Sequence, residues 1–363
     1  MKGPRSMNEI TLQLKPVGNH CNLHCSYCYA APFKKEKFKI LDMKLLEKVI
    51  KESLELTDNL IISWHGGEPT MVGLQYFKDY IKIVKKYKKN NQKVVNMLQT
   101  NATLITDDMA QFFKDNNFII SISLDGDETS HNKNRYNYNG QGSFNDTMAG
   151  VNILRKHGIF PPLIATVTQS TLNDGIKNFK FFVDNGFKEI KFSPVYDSDN
   201  DEFSIDNEKW YKYTKSILDE WLKLQDRTIK IREIDEILSW IIGKNLNMCT
   251  NKGMCLNWLS IDEDGDIYPC EYLRKDNPYG NIKIMNLKDV FTSDSYLKFK
   301  DKVLSMPDKC QKCELLKFCH NGCPATRIKE NKLSYDGLYV YCEQRKSLIN
   351  DIKDILGGDY VGK

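Results

Sequence analysis

Apolar positions along the first two-thirds of the chain switch between two periods. Short β-type runs occur at Ile10–Val17, Leu60–His65, Val94–Thr100, Phe118–Leu124, Pro162–Gln169 and Glu189–Val195. Between and after them, residues 43–56, 73–89, 106–116, 145–157, 174–185 and 208–226 carry the spacing of amphipathic helices. Regular strand–helix alternation predicts βαβ units and a parallel sheet, hence an α/β fold. Six such units make an open, partial (β/α)6 barrel of TIM type, two units short of a closed one. Active groups then belong on loops after the strands' C-terminal ends.

From about residue 249 the pattern changes. Eight cysteines fall between Cys249 and Cys342, with turn signals at Asp264-Gly265 and Tyr279-Gly280, and no long periodicity returns until 343–356. A small loop-rich unit of this kind needs a metal to staple it. The expected division is a barrel over 9–230, a connecting segment over 231–248, a metal-nucleated domain over 249–345, and a C-terminal helix and tail over 346–363.

Composition narrows the class. Apolar residues at 41% and charged residues at 28% describe a soluble globular chain. No apolar run is long enough to span a bilayer, and Met1–Ser6 is not an export signal. The expectation is therefore a cytoplasmic protein with no membrane partner. Net charge is only +4, and the run Lys85-Lys86-Tyr87-Lys88-Lys89 reads as a solvated helix end, so no nucleic-acid partner is expected. The eleven cysteines carry more weight. In a reducing compartment they remain thiols, which points to metal or redox chemistry rather than disulfides.

Cys21, Cys25 and Cys28 form C-x3-C-x2-C directly after the first strand. Three thiolates hold three irons of a [4Fe–4S] cube and leave the fourth open, whereas structural clusters and zinc sites take four ligands. The competing reading is three buried thiols, or a zinc knuckle completed by His24. The segment Cys21-Asn22-Leu23-His24-Cys25-Ser26-Tyr27-Cys28-Tyr29 resembles the signature loop of radical S-adenosylmethionine (SAM) enzymes, including the aromatic Tyr27 before the third cysteine. That resemblance implies a cluster whose open iron chelates SAM and cleaves it reductively to a 5′-deoxyadenosyl radical.

Further motifs sit at the ends of the next strands. His65-Gly66-Gly67-Glu68-Pro69 combines glycines that permit close backbone approach with a carboxylate able to grip a cationic amino group; alone it is an ordinary turn. It resembles the family's GGEP motif, implying that Gly66, Gly67, Glu68 and Pro69 bind the amino end of SAM. Gln99-Thr100-Asn101 and Ser123-Leu124-Asp125-Gly126 are polar strand ends that also suit caps or Asx-turns. The resemblance places Asn101 and Ser123 in the SAM pocket, with Ser123 near the ribose. His131 and Arg135 match an H-[DN]-x-x-R pattern in which Arg135 reaches the cofactor carboxylate.

The C-terminal cysteines continue as Cys255-x9-Gly265-x4-Cys270, Cys310-x2-Cys313-x5-Cys319-x3-Cys323 and Cys342. Spacing alone suits zinc equally well. The run resembles the SPASM domain, which carries auxiliary [4Fe–4S] clusters. The resemblance implies Cys249, Cys255, Cys270 and Cys323 as one ligand set and Cys310, Cys313, Cys319 and Cys342 as another. Three clusters then use all eleven cysteines, and full thiolate ligation of the auxiliary pair points to electron transfer.

Enzymes of this resemblance mostly modify peptides or proteins. The expected activity is hydrogen abstraction from a ribosomally made peptide, leading to a thioether or carbon–carbon crosslink or to oxidation. The alternative is an anaerobic sulfatase maturase forming formylglycine from cysteine or serine. A non-catalytic zinc or iron–sulfur scaffold is the third reading, and it leaves the strand-end motifs without a purpose. Sulfatase maturases usually carry Asp after the cysteine matching Cys270; here it is Glu271, a carboxylate with longer reach that still suits a proton-accepting role. Two further departures are Ala30 after Tyr29, where a second aromatic is usual, and the segment Lys191–Tyr196, which lacks an expected Gln. About a dozen residues precede the first strand, too few for a fused peptide-recognition domain. The expected partners are a peptide or protein substrate, bound directly at the barrel mouth or delivered by a separate peptide-recognition protein, and a reductant such as flavodoxin or ferredoxin.

Overall fold

The computed structural model describes residues 8–196, 202–273, 278–330 and 332–357; the end of the expected tail, 358–363, lies outside them. Strands and helices alternate as β1 (Ile10–Leu14), α1 (Met43–Leu56), β2 (Asn59–Trp64), α2 (Leu74–Tyr87), β3 (Lys93–Thr100), α3 (Asp107–Asp115), β4 (Ile119–Ser123), α4 (Phe144–Lys156), β5 (Leu163–Val167), α5 (Gly175–Asp184), β6 (Glu189–Pro194) and α6 (Asn207–Lys223). These match the expected α/β alternation within one to three residues at each helix end. The expected connecting segment over 231–248 is instead largely structured: after β7 (Lys230–Ile231), helix α7 (Arg232–Ile241) buries Ile234, Ile237 and Ile241 along one stripe.

The chain divides into two compact units. The first holds the residues up to Ile122, Arg135–Pro161 and Cys255–Lys300. Its β1 is buried along its whole length because it is hydrogen-bonded on both sides, parallel to β2 (Leu12↔Ile62) and parallel to β8 (Trp258–Ile261; Thr11↔Trp258). β3 and β4 extend the sheet in parallel beyond β2. β8 then pairs antiparallel with β9 (Asp266–Tyr268), and β9 with β10 (Gly280–Asn281). The cysteine-rich stretch expected as one unit over 249–345 therefore contributes Cys255–Lys300 to this first body, through β8 pairing with β1. Helix α1 starts where Asp42 accepts from the N–H groups of Lys44 and Leu45, and buries Leu46, Val49, Ile50 and Leu54 on the sheet side. Trp64, wholly buried, packs edge-on against Phe77 and Tyr80 of α2.

The second unit holds Ser123–Asn134, Pro162–Met254 and the chain from Asp301. β5, β6 and β7 run parallel in it. The C-terminal helix Cys342–Ile355, which begins at the last cysteine, lies along α6: Gln344 donates to Thr214 Oγ1 at 3.0 Å and Asn207 Oδ1 accepts from the Gln344 N–H. The region between is made of single helical turns and a three-stranded antiparallel sheet (Arg327–Lys329, Lys332–Leu333, Leu338–Tyr339). Arg327, 2% exposed, ends on the carbonyls of Asn321, Val303, Tyr335 and His320. No helix among the described residues is long and apolar enough to cross a membrane.

Candidate active site

In the first unit the loop after β1 carries Cys21, Cys25 and Cys28. Backbone bonds shape it: Cys28 N–H donates to Cys25 O at 3.2 Å, and His24 N–H to Tyr136 O at 2.7 Å. Leu23 N–H points at Cys21 Sγ (3.3 Å), as does Asn101 Nδ2 (3.7 Å) from the end of β3. Burial pushes the Cys21 thiol up to about 12, and Glu68, Cys25 and Cys28 add to it. Three thiols gathered in one loop suit a shared cationic group, which would hold them as thiolates.

The loop after β2 packs onto this one, and its glycines are required by that approach. Gly67 N–H donates to Gly18 O and Glu68 N–H to His20 O, both at 2.9 Å. A Cβ on Gly67 would lie 1.8 Å from His20 O, and one on Gly66, where φ is +110°, 2.4 Å from Gly18 O. Glu68 differs from expectation. Its side chain is not aimed outward at an amino group but buried, with Oε1 accepting from Thr70 N–H, Thr70 Oγ1 and Thr100 Oγ1, and Oε2 from Asn101 N–H at 2.8 Å. The carboxylate fastens the ends of β2 and β3 together, leaving the backbone of Gly66–Pro69 as the group this motif can offer a ligand. Asn101 Nδ2 also donates to Asn22 Oδ1 at 2.9 Å, so β3 is tied directly to the cysteine loop. Arg135 lies 5.5 Å over the Tyr27 ring, with Nη1 4.0 Å from Cys25 Sγ.

Glu271 lies in the same unit, on the turn after Cys270. It is 3% exposed, and its Oε2 is 2.5 Å from Lys15 Nζ. Lys15 also donates to Asn19 Oδ1, and its backbone N–H is bonded to Ile261 O of β8. Glu271 N–H donates to Gln13 Oε1 at 3.1 Å. The Lys15 contact is an ion pair by distance, but its angles leave both carboxylate oxygens without a well-directed hydrogen bond. Tyr29, next to Cys28, stacks on Tyr272 at 4.3 Å; burial and then Tyr272, Glu271, Cys28 and Cys270 push its hydroxyl well up. The signature loop and the Cys270-Glu271-Tyr272 turn are thus neighbours. Cys255 and Cys270 in turn both act on buried Tyr279.

In the second unit, Ser123 ends β4 and is half-buried. The turn after it is braced from within: Thr166 N–H donates to Asp125 Oδ1, His131 Nδ1 accepts from Asp125 N–H, and Asn178 occupies the space a Gly126 side chain would need. His131 is wholly buried there, a brace for the turn. Cys310, Cys313, Cys319 and Cys342 line one small cavity with Tyr339 and Arg345. Burial raises the Cys310 thiol, and Cys342, Cys319 and Cys313 raise it further. Cys323 is pushed up to about 11 by burial and then by Cys249. No three such groups among the described residues close on a single-ion geometry; the Cys-lined cavity suits a larger, thiolate-held group. Sequence reading passed over Gln13, Lys15 and Arg345, which carry no motif.

Comparison with known proteins agrees with this geometry. The radical SAM superfamily pattern matches residues 16–182, and the SPASM iron–sulfur cluster-binding domain matches residues 249–314. A cysteine-type anaerobic sulfatase-maturating enzyme of Clostridium novyi is 32% identical over 98% of both chains. The chain belongs to the radical SAM enzymes. A serine-type anaerobic sulfatase-maturating enzyme of Bacteroides thetaiotaomicron is 30% identical over 92% of this chain and 87% of its own. The structure of native anSMEcpe with bound AdoMet and Cp18Cys peptide superposes with a TM-score of 0.82 at 28% identity, over 96% of this chain and 99% of that one. As a radical SAM enzyme with a SPASM domain, the protein has SAM and [4Fe–4S] clusters as its cofactors, one cluster binding SAM and two auxiliary.

Proposed function

We propose that this radical SAM enzyme is an anaerobic sulfatase maturase, oxidising a cysteine or serine of a sulfatase to formylglycine. The observation that carries the reading is Glu271, a buried carboxylate beside the signature loop and oriented by Lys15. End-to-end similarity to cysteine- and serine-type maturases supports it over crosslinking of a ribosomally made peptide.

Cys21, Cys25 and Cys28 would hold the SAM-binding cluster. Cys249, Cys255, Cys270 and Cys323 would hold the first auxiliary cluster, and Cys310, Cys313, Cys319 and Cys342 the second. When bound, these groups and SAM supply the 5′-deoxyadenosyl radical and an outlet for the second electron. The remaining tasks fall to the chain. Backbone of Gly66–Pro69 would hold the amino end of SAM, Arg135 its carboxylate, and Asn101, Ser123 and Tyr27 would line the pocket. Oxidation of a side-chain CH2 to an aldehyde also releases protons, and Glu271 Oε1, not engaged by Lys15, is placed to accept one. The functional domains proposed are the barrel over 9–230, the connector over 231–248, the cluster domain over 249–345 and the helix and tail over 346–363. Flavodoxin or ferredoxin would serve as reductant, in the cytoplasm.

The test is anaerobic reconstitution to about twelve irons per chain, followed by incubation with SAM, a reductant and a sulfatase-derived peptide carrying cysteine or serine at the modified position. A hydrazide-reactive aldehyde with the mass of formylglycine is the expected product. A peptide that only loses hydrogen to form an internal bond would instead establish the crosslinking reading.

A further inference from the structure

The cavity lined by Cys310, Cys313, Cys319 and Cys342 also carries three cations, Lys309, Arg345 and Lys346, and no carboxylate. Lys309 is neutralised outside the cavity by Glu343 (2.7 Å), which Lys346 approaches at 3.8 Å. Arg345 is different. It stands one turn after Cys342, and among the described residues no carboxylate lies within ion-pair distance of its guanidinium. Its Nη1 donates to Cys319 Sγ at 3.2 Å and to Cys319 O at 3.5 Å, while Nη2 reaches Tyr339 Oη at 3.5 Å. The guanidinium also lies 4.6 Å over the Tyr339 ring, and Tyr339 is bonded through its backbone N–H to Asn321 Oδ1. A guanidinium held this firmly and aimed at a thiol is well placed to favour negative charge on that sulfur.

We propose that Arg345 tunes the redox potential of the auxiliary cluster held by these four cysteines. The inference rests on the assignment of Cys310, Cys313, Cys319 and Cys342 as cluster ligands. The couple is one-electron, and the reduced form carries one more negative charge than the oxidised form. A fixed positive charge and an N–H···S bond therefore favour reduction, raising the midpoint potential and making this cluster a better acceptor for the electron leaving the substrate. Arg345 is a positioning residue here, acting through Cys319 without meeting SAM or substrate.

The experiment is an EPR-monitored potential titration of the full reconstituted chain. It is repeated on the same chain with Cys21, Cys25 and Cys28 replaced by alanine, so that only auxiliary signals remain. Arg345→Met is expected to shift one auxiliary midpoint to more negative potential and leave the other in place, and Arg345→Lys to recover part of the shift. Unchanged midpoints in Arg345→Met with full iron content would overturn the proposal. So would loss of one cluster's iron in both variants, which makes Arg345 a structural residue. Failure of the ligand assignment reads differently: replacing Cys310 and Cys313 in an otherwise wild-type chain would then leave the iron content unchanged.

Discussion

Glu271 and Lys15 form a pair in which each partner answers for the other's burial. Removing Glu271 takes the opposite charge away from the buried Lys15 ammonium, and breaking a buried pair in this way costs about 3–5 kcal/mol. Glu271→Gln is therefore expected to lower the unfolding midpoint in urea as well as formylglycine yield. The yield should fall by about 100-fold or more, the usual share of a positioned proton acceptor. Release of 5′-deoxyadenosine should continue in this variant, because the signature loop is untouched. If SAM cleavage and peptide oxidation fell together, Glu271 would be a support for the loop and not a proton acceptor. The carboxylate was legible from its place after Cys270. Lys15 was not: a lone lysine at a strand end reads as a surface charge, and only folding brings residue 271 beside it. Glu68 failed in the opposite direction, since a motif letter says nothing about which way a side chain turns.

At the scale of elements, the first cysteine loop is held by its neighbours more than by itself. Gly67→Ala drives a methyl group against His20 O, where the nearest contact would be 1.8 Å. The two loops must separate, at about 1–3 kcal/mol. The expected readout is loss of the first cluster's share of iron while the auxiliary clusters remain. Asn101→Ala is a milder change that removes the ties to Asn22 and Cys21. It should weaken SAM binding in equilibrium dialysis and leave iron content intact. The amphipathic helices were readable because each shows one apolar stripe over two turns or more. β8 was not, being four residues long and paired with a strand near the opposite end of the chain. α7 falls in the stretch expected as a connecting segment, although Ile234, Ile237 and Ile241 carry helical spacing, because ten residues show that spacing for only three apolar positions.

Across the whole molecule, the described residues between 308 and 341 are single helical turns and a three-stranded sheet, tied by Arg327, by the bonds of Asn321 to Gly337 and Tyr339, and by the stacking of Phe318 on Trp240. Short helical turns bury too little apolar surface to be stable alone. Removing iron with a chelator is expected to abolish hydrogen-exchange protection between Cys310 and Cys342 and to leave β1–β3 protected. Equal loss in both regions would show that the clusters hold the entire chain together. Arg327→Met takes a donor away from four carbonyls, of which those of Asn321 and Val303 are buried. It should destabilise the second unit by about 3 kcal/mol or more, with a lower thermal midpoint even when clusters are loaded. The α/β class was visible in the sequence because strand–helix alternation is a local pattern. The split of the cysteine-rich region between two bodies was invisible, because it is decided by a strand pairing that no local pattern encodes.

That pairing has a consequence for synthesis. β1 is an interior strand of its sheet, yet its β8 side stays open until residues 258–261 have left the ribosome. A polypeptide emerging from its N-terminus will have made β1 through β6 before the sheet can close around the strand that leads into Cys21. The backbone N–H of Lys15 waits for the carbonyl of Ile261, and Lys15 itself for Glu271. The strand that leads into Cys21 therefore gains its second hydrogen-bonded neighbour only when most of the chain exists.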